Sequence, residues 1–243
     1  MISIICPVNN YNILKMLTDS LNKQTIKDYE LILIDSKKMG FKSAAETLNY
    51  GVSISKGNIL LFAHQDIEFI SNDALAMILK YSNDNDFGIA GVAGKNTNDK
   101  YCTTSVLVGK DKRPGGHIKT SGIIQTQTLD ECLFIIKREK FCNFTNYGKT
   151  WHFYSVDYCL KMIEANEKVL LFPIDIYHLS PGYSMNYNYY STLKKVGKNH
   201  KNIKIIATTC GTFKNDKFLS IRCLYLKIKL FLKKILRKGY YKE

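Results

Sequence analysis

The sequence predicts an α/β fold in which a mostly parallel sheet is flanked by helices. Three observations carry this. Short, wholly apolar runs recur through the first 95 residues, apolar residues at helical spacing fill the intervals, and polar turn formers stand where the runs stop. Ile2–Val8 is the first run, ended by Pro7 and the turn formers Asn9-Asn10, and Ile13, Leu14, Leu17 and Leu21 then share one helical face. Residues 30–35 form a second buried strand, and residues 44–55 have helical spacing through Ala45, Leu48 and Val52. Gly57-Asn58 opens a third strand, Ile59–Ala63. A helix over residues 73–81 follows a cap at Ser71 or Asn72, and residues 88–92 make a fourth strand.

Beyond Lys95 the pattern loosens. Residues 95–120, with the turn Pro114-Gly115-Gly116, read as a mobile loop interrupted by a strand-like stretch at 104–108. Strand-like runs resume at 123–128 and 132–136, a helix is expected over 156–165 and a last strand over 169–173. There is no internal repeat. Parallel open sheets bind ligands beyond the carboxyl ends of their strands, which directs attention to residues 7–10, Asp35-Ser36, 64–68 and Lys95-Asn96.

The charge is unevenly placed. The chain carries 35 Lys and Arg against 21 Asp and Glu, a net of +14. Residues 1–175 hold 20 basic and 19 acidic side chains, whereas residues 176–243 hold 15 basic ones and only Asp216 and Glu243. Only Arg113, Arg138, Arg222 and Arg237 are arginine, the residue whose planar fork reads bases. The charge therefore leans toward anionic headgroups, or unspecific nucleic acid, over the reading of bases. Near the end, Ile221, Leu224, Tyr225, Ile228, Phe231, Leu232 and Ile235 follow helical spacing, flanked by Lys227, Lys229, Lys233, Lys234, Arg237 and Lys238. Such a basic amphipathic helix either lies in an anionic membrane interface or packs back on the domain.

A hydrophobic fraction of 45% excludes a disordered chain. Seven cysteines, an odd number without a C-x-x-C pair, exclude a disulfide framework and a zinc ribbon and fit a reducing cytoplasm. The start reads as a strand and not as a signal peptide, and no apolar run approaches the roughly 18 residues of a membrane span. The expected place is the cytoplasm, peripheral on the inner face of the cell membrane.

Four clusters offer chemistry. In the run Leu60 to Glu68, an apolar strand enters His64-Gln65-Asp66, where a carboxylate can hold a hard divalent ion against a diphosphate; alone, it reads equally as a polar strand end. Asp35 ends the second strand and can accept hydrogen bonds from a nucleobase or ribose. Trp151-His152-Phe153-Tyr154-Ser155-Val156-Asp157 sets aromatic rings beside a carboxylate, a combination suited to sugars. Tyr177-His178-Leu179-Ser180-Pro181-Gly182 supplies a histidine that joins Asp66 as a second ligand.

Together these stretches, with Asn49-Tyr50-Gly51 and Lys56-Gly57-Asn58 ahead of the third strand, resemble family 2 glycosyltransferases of the GT-A fold, in a small bacterial branch with His-Gln-Asp in place of Asp-x-Asp. The resemblance spans about residues 1–200 and implies the following roles. Pro7, Val8, Asn10 and Asp35 hold the nucleotide, Lys42 contacts the diphosphate, and His64, Gln65 and Asp66 complete the donor site. Asp66 and His178 bind Mn²⁺ or Mg²⁺, and Trp151, His152, Tyr154 and Ser180 face the acceptor. Tyr154-Ser155 stand where many relatives carry Glu-Asp, so Asp157 is the expected base, with Asp130 or Glu131 as the alternative. The implied layout is a catalytic domain over residues 1–213, with a nucleotide-sugar half at 1–95 and an acceptor half at 96–213, followed by a basic helix at 214–243. The implied activity is metal-dependent, inverting transfer of a sugar from a UDP-linked donor to a surface glycan or lipid-linked acceptor. The competing expectation is a nucleotide-sugar binder without turnover.

Overall fold

A computed structural model describes residues 1–109, 111–115, 118–180 and 185–239, without the side chains of 233–239. Gly116, Pro181, Gly182, the tail 240–243 and the side chains of Lys233, Lys234, Ile235, Arg237 and Lys238 lie outside the described residues.

The first half alternates as expected: β1 (Ile2–Val8), α1 (Tyr11–Asn22), β2 (Tyr29–Asp35), α2 (Ala44–Ile54), β3 (Ile59–Ala63), β4 (Ile67–Phe69), α3 (Ala74–Asp84) and β5 (Ile89–Gly91). Short strands follow: β6 (Ala93–Lys95), β7 (Thr103–Thr104), β8 (Val106–Val108), β9 (Arg113–Pro114), β10 (Ile118–Lys119), β11 (Ile124–Gln125) and β12 (Thr128–Leu129). The chain continues through β13 (Leu133–Lys137), a 3₁₀ turn, α4 (Tyr154–Glu164), β14 (Val169–Leu171), β15 (Ile176–His178), α5 (Tyr187–Asn199), β16 (Ile205–Thr208), β17 (Gly211–Lys214) and α6 (Leu219–Gly239).

The main sheet has the order β11-β14-β5-β13-β3-β1-β2. β1 pairs in parallel with β2 and β3, while β13 runs antiparallel to β3 and β5, so the sheet is mixed. Strand alternation sorts the core. Ile2, Ile4, Cys6 and Val8 face α1 and α3 on one side, and Ile5 joins Ile34, α2 and α4 on the other. Gly51 lets α2 lie close on the sheet: a Cβ there would meet Ile5 Cγ2 at 2.5 Å and Ile34 Cδ1 at 2.8 Å. Helix starts carry their expected chemistry at Asn10, whose side chain accepts from the amides of Asn12 and Ile13, and at Ser43, which accepts from Glu46. At α3 the capping position is Asp73 rather than Ser71 or Asn72, without a side-chain cap bond.

Residues 95–120 are not one loop. Their short strands enter two four-stranded sheets, β10-β7-β6-β12 and β4-β15-β8-β9. Strands of two or three residues show no readable alternation, and distant partners hold them. The pairing of β15 with β4 sets His178 opposite Ile67, and the Leu179 amide donates to the Asp66 carbonyl at 3.0 Å.

Beyond β15 the chain adds a third apolar cluster, in which α4, α5, β16 and α6 meet through Leu160, Tyr189, Leu193, Val196, Ile206 and Leu219. The β16–β17 hairpin is tied down by polar side chains. Gln127 Nε2 donates to the Ile205 carbonyl at 2.7 Å, and its Oε1 accepts from the Ala207 amide at 2.8 Å. Buried Asn215 turns its amide NH₂ to the carbonyls of Gly197, His200 and Ile203 at 3.1, 2.8 and 2.8 Å, joining the hairpin to the end of α5.

Helix α6 is apolar on two sides. Leu219 and Cys223 are buried against α5, with Leu226 and Leu230 partly so, and Lys227 reaches Ser191 Oγ at 2.6 Å. The stripe read from the sequence is the other one: Ile221, Leu224, Tyr225, Ile228, Phe231 and Leu232 are 49–63% exposed. The helix thus packs back on the domain and still presents an apolar face. Among the described residues no helix is long and apolar enough to cross a membrane.

Asn215→Ala leaves three helix-terminal carbonyls without their shared donor. The expected loss of unfolding free energy is about 1–3 kcal/mol, measured by urea denaturation.

Candidate active site

A cleft of about 390 Å³ opens at the carboxyl ends of β1, β2 and β3. Pro7 and Val8 come from the end of β1 and Asn9 from the turn after it, Ser36 and Lys37 from the turn after β2, Trp151 from the segment entering α4 and Tyr154 from its first position. Of the residues expected to hold the nucleotide, Pro7 and Val8 line this cleft. Asn10, Asp35 and Lys42 are not among the cleft-lining residues. Asn10 caps α1, Asp35 Oδ1 accepts from the Lys38 amide at 2.9 Å, and Lys42 is exposed, with its amide donating to Glu46. Lys37 is the lysine in the cleft. Gln65 lines it too, but its side chain is engaged in a clamp. Its Oε1 accepts from the amides of Asn9 and Asn10 at 3.1 and 3.0 Å, and its Nε2 donates to Asn9 Oδ1 at 2.7 Å.

At the inner end of this cleft, His64, Asp66 and His178 bring one ligand atom each within 4.8 Å of one another. His178 Nε2 lies 3.3 Å and His64 Nδ1 3.9 Å from Asp66 Oδ1. The sequence reading places Asp66 and His178 in a metal site and His64 on the donor; the structure gathers all three. Tyr154 OH donates to the Glu131 carbonyl at 3.3 Å and meets His64 Nε2 at 2.9 Å. In the tautomer with its proton on Nε2, that N–H donates to the Tyr154 oxygen and Nδ1 turns its lone pair toward the cluster. Burial and the neighbouring His178 hold His64 below the usual histidine range. For His178 burial pulls downward, but the bond and charge of Asp66 prevail and raise it. Burial likewise works against ionisation of Asp66, and the two histidines overcome it and lower its pKa.

Two imidazoles and one carboxylate are a fitting donor set for a divalent transition ion.

His64 and Asp66 also line a second cavity of about 180 Å³ on the far side of the cluster. Its wall includes Asp130, Glu131, His152, Ser180 and Tyr189, with Thr208, Thr209 and Cys210 from the β16–β17 hairpin. Of the expected acceptor residues, His152 and Ser180 are here, while Trp151 and Tyr154 line the first cleft. Asp130 is committed: Oδ1 accepts from the Cys132 amide at 3.0 Å and Oδ2 from Thr209 Oγ1 at 2.7 Å. Glu131 is not, because its Oε1 is buried without a hydrogen-bond partner. Burial and the adjacent Asp130 charge push its pKa well up, against the opposing pull of the Phe153, Tyr154 and Ser155 amides at the start of α4. Phe153 itself turns that corner with φ +68°, and no side chain of its own caps the helix.

A family profile described as "Glycosyltransferase like family" matches residues 3–205 of the chain. Among solved structures, the chain is similar to the crystal structure of S. aureus TarS 1–349, with a TM-score of 0.52 and 13% identity. That match covers 81% of this chain and 64% of the other, so the chain spans less than two thirds of that structure's length. At such identity the likeness is one of fold. A search of curated protein sequences gives no significant match.

Asp157, the expected base, is not brought to either cavity. It is 1% exposed, and both oxygens are occupied. Oδ1 accepts from Tyr147 OH at 2.5 Å and from His200 Nε2 at 2.9 Å, and Oδ2 accepts from Thr145 Oγ1 at 2.7 Å. His200 Nδ1 meets Glu164 Oε2 at 2.8 Å. A carboxylate so enclosed and so engaged holds α4 to the end of α5. Burial opposes both charges, yet the pairing prevails, raising His200 above and lowering Asp157 below their ordinary ranges. A raised histidine stabilises the fold fully below its unfolded value of about 6.5 and ceases to do so as pH rises through its folded value. Wild-type Tm is therefore expected to fall as pH rises above about 6.5, while His200→Gln starts about 1–3 kcal/mol less stable at the acid end and stays flatter.

Proposed function

The chain belongs to the glycosyltransferase-like family, and on that premise we propose metal-dependent, inverting transfer of a sugar from a UDP-linked donor to a surface glycan or lipid-linked acceptor. The observation that carries the proposal is the position of His64, Asp66 and His178, of which His64 and Asp66 line both the strand-end cleft and the second cavity. In this reading Pro7, Val8, Ser36 and the half-exposed Trp151 hold the nucleoside, and Lys37 offers its charge to the diphosphate. A divalent ion on the three ligands would neutralise the departing diphosphate.

The second cavity receives the acceptor, with His152 and Ser180 as polar partners. Glu131, the expected alternative base, takes the acceptor hydroxyl proton on its unpartnered oxygen. The acceptor oxygen forms its bond to the anomeric carbon as the bond from that carbon to the diphosphate oxygen breaks, and attack opposite the leaving group inverts the centre. A base raised above the ordinary carboxylate range suits this transfer better than a strongly acidic carboxylate. The exposed face of α6, bordered by Arg222 and Lys229, supports peripheral binding to an anionic membrane, where a lipid-linked acceptor resides.

Incubated with Mn²⁺ and a panel of nucleotide-sugars, the protein is expected to release UDP, and Asp66→Ala to abolish that release. Tight donor binding without turnover in the wild type would instead support the silent binder. Glu131→Gln is expected to lower kcat by about 10²–10⁴ while leaving donor Kd unchanged; an unaltered kcat removes Glu131 as the base.

A further inference from the structure

We propose that a lysine groove between the end of α5 and the start of α6 is a headgroup site for an anionic phospholipid. The inference deepens the membrane reading of α6 and rests on it. The groove measures about 380 Å³. Lys194 and Lys198 stand four residues apart on one face of α5, Lys201 lies just past the helix end, and Lys204 and Lys217 complete the ring. All five are exposed. None has an ion-pair partner among the described residues, and Asp216, the groove's one carboxylate among them, is held by Arg222 at 2.7 Å. The floor is buried and uncharged, formed by Gly197, Asn215 and Leu219, with the Asn215 amide already engaged by backbone carbonyls. Five like charges around a shaped hollow repel one another, and a bound phosphate relieves that repulsion.

What favours a lipid over a soluble phosphate is the neighbouring surface. Directly after Lys217 come Phe218, Ile221, Leu224 and Tyr225, 50–63% exposed. Cations for phosphates beside apolar side chains for the acyl boundary are what a membrane interface requires. None of the groove lysines lines the donor cleft or the acceptor cavity.

The full-length protein is tested by flotation with vesicles of phosphatidylcholine alone or mixed with phosphatidylglycerol. Three forms accompany the wild type: a groove variant (Lys194→Gln, Lys198→Gln, Lys201→Gln), a variant losing equal charge elsewhere (Lys15→Gln, Lys23→Gln, Lys80→Gln) and a face variant (Leu224→Gln, Ile228→Gln). The wild type is expected to float with the mixed vesicles, and the groove variant to bind them about a hundredfold more weakly, at about fivefold per lysine. The charge control should lose far less. Equal flotation of groove variant and wild type, with loss in the face variant, overturns the groove and leaves the membrane reading standing. Absence of wild-type flotation on either vesicle overturns the membrane reading and, with it, the lipid as occupant. If the groove variant floats normally but loses calorimetric binding of soluble glycerol 3-phosphate, the site serves a phosphorylated soluble ligand and the lipid assignment is overturned.

Discussion

The antiparallel pairing of β4 with β15 is the contact on which the rest of the site depends. It joins Asp66 and His178, which lie far apart in the chain, through the Leu179 amide and the Asp66 carbonyl. Because register in a strand pair has a period of two, a one-residue slip would turn His178 to the opposite face. The pairing in turn needs β8 beside β15 and the main sheet beneath, which carries β3 directly into His64. The geometry of three side chains is thus a property of two sheets.

Desolvation then divides the acids between roles. Asp157 and Glu131 are both enclosed, but Asp157 is surrounded by donors and a histidine, whereas Glu131 has Asp130 beside it and one oxygen without a partner. The first environment stabilises a permanent charge and serves cohesion. The second raises the carboxyl's affinity for a proton, the direction a group that takes one up requires.

The sequence disclosed those parts of the fold that local patterns encode. β1, β2 and β3 are continuous apolar runs, and α1 and α2 carry their own caps, so each could be read in place. After residue 92 the runs at 104–108, 132–136 and 169–173 still mark β8, β13 and β14, but the other short strands could not be read, since two or three residues carry no period and their partners are remote. Helix α5 was missed although Asn186 caps it and Tyr189, Tyr190, Leu193 and Val196 recur at helical spacing; that signal was present. At the site, His64, Asp66 and His178 were legible as chemistry. That His64 joins the other two, through the orienting Tyr154 hydroxyl, was not. The pairing of Asp157 with His200 was not legible, because a carboxylate in the first helical turn looks the same whether it meets solvent, substrate or a buried histidine from beyond another helix.

The Gln65 clamp bears on the thermodynamics of donor binding. By accepting from two amides and donating to Asn9, it fixes the loops after β1 and β3 to each other before any ligand arrives. Loops already ordered forfeit little conformational entropy on association. One wall of the cleft is therefore preorganised, and whatever freedom binding removes must come from the opposite wall, where Lys37, Phe41 and Trp151 stand. Selectivity among donors then falls to side chains that settle around the ligand, while the strand ends supply a fixed frame.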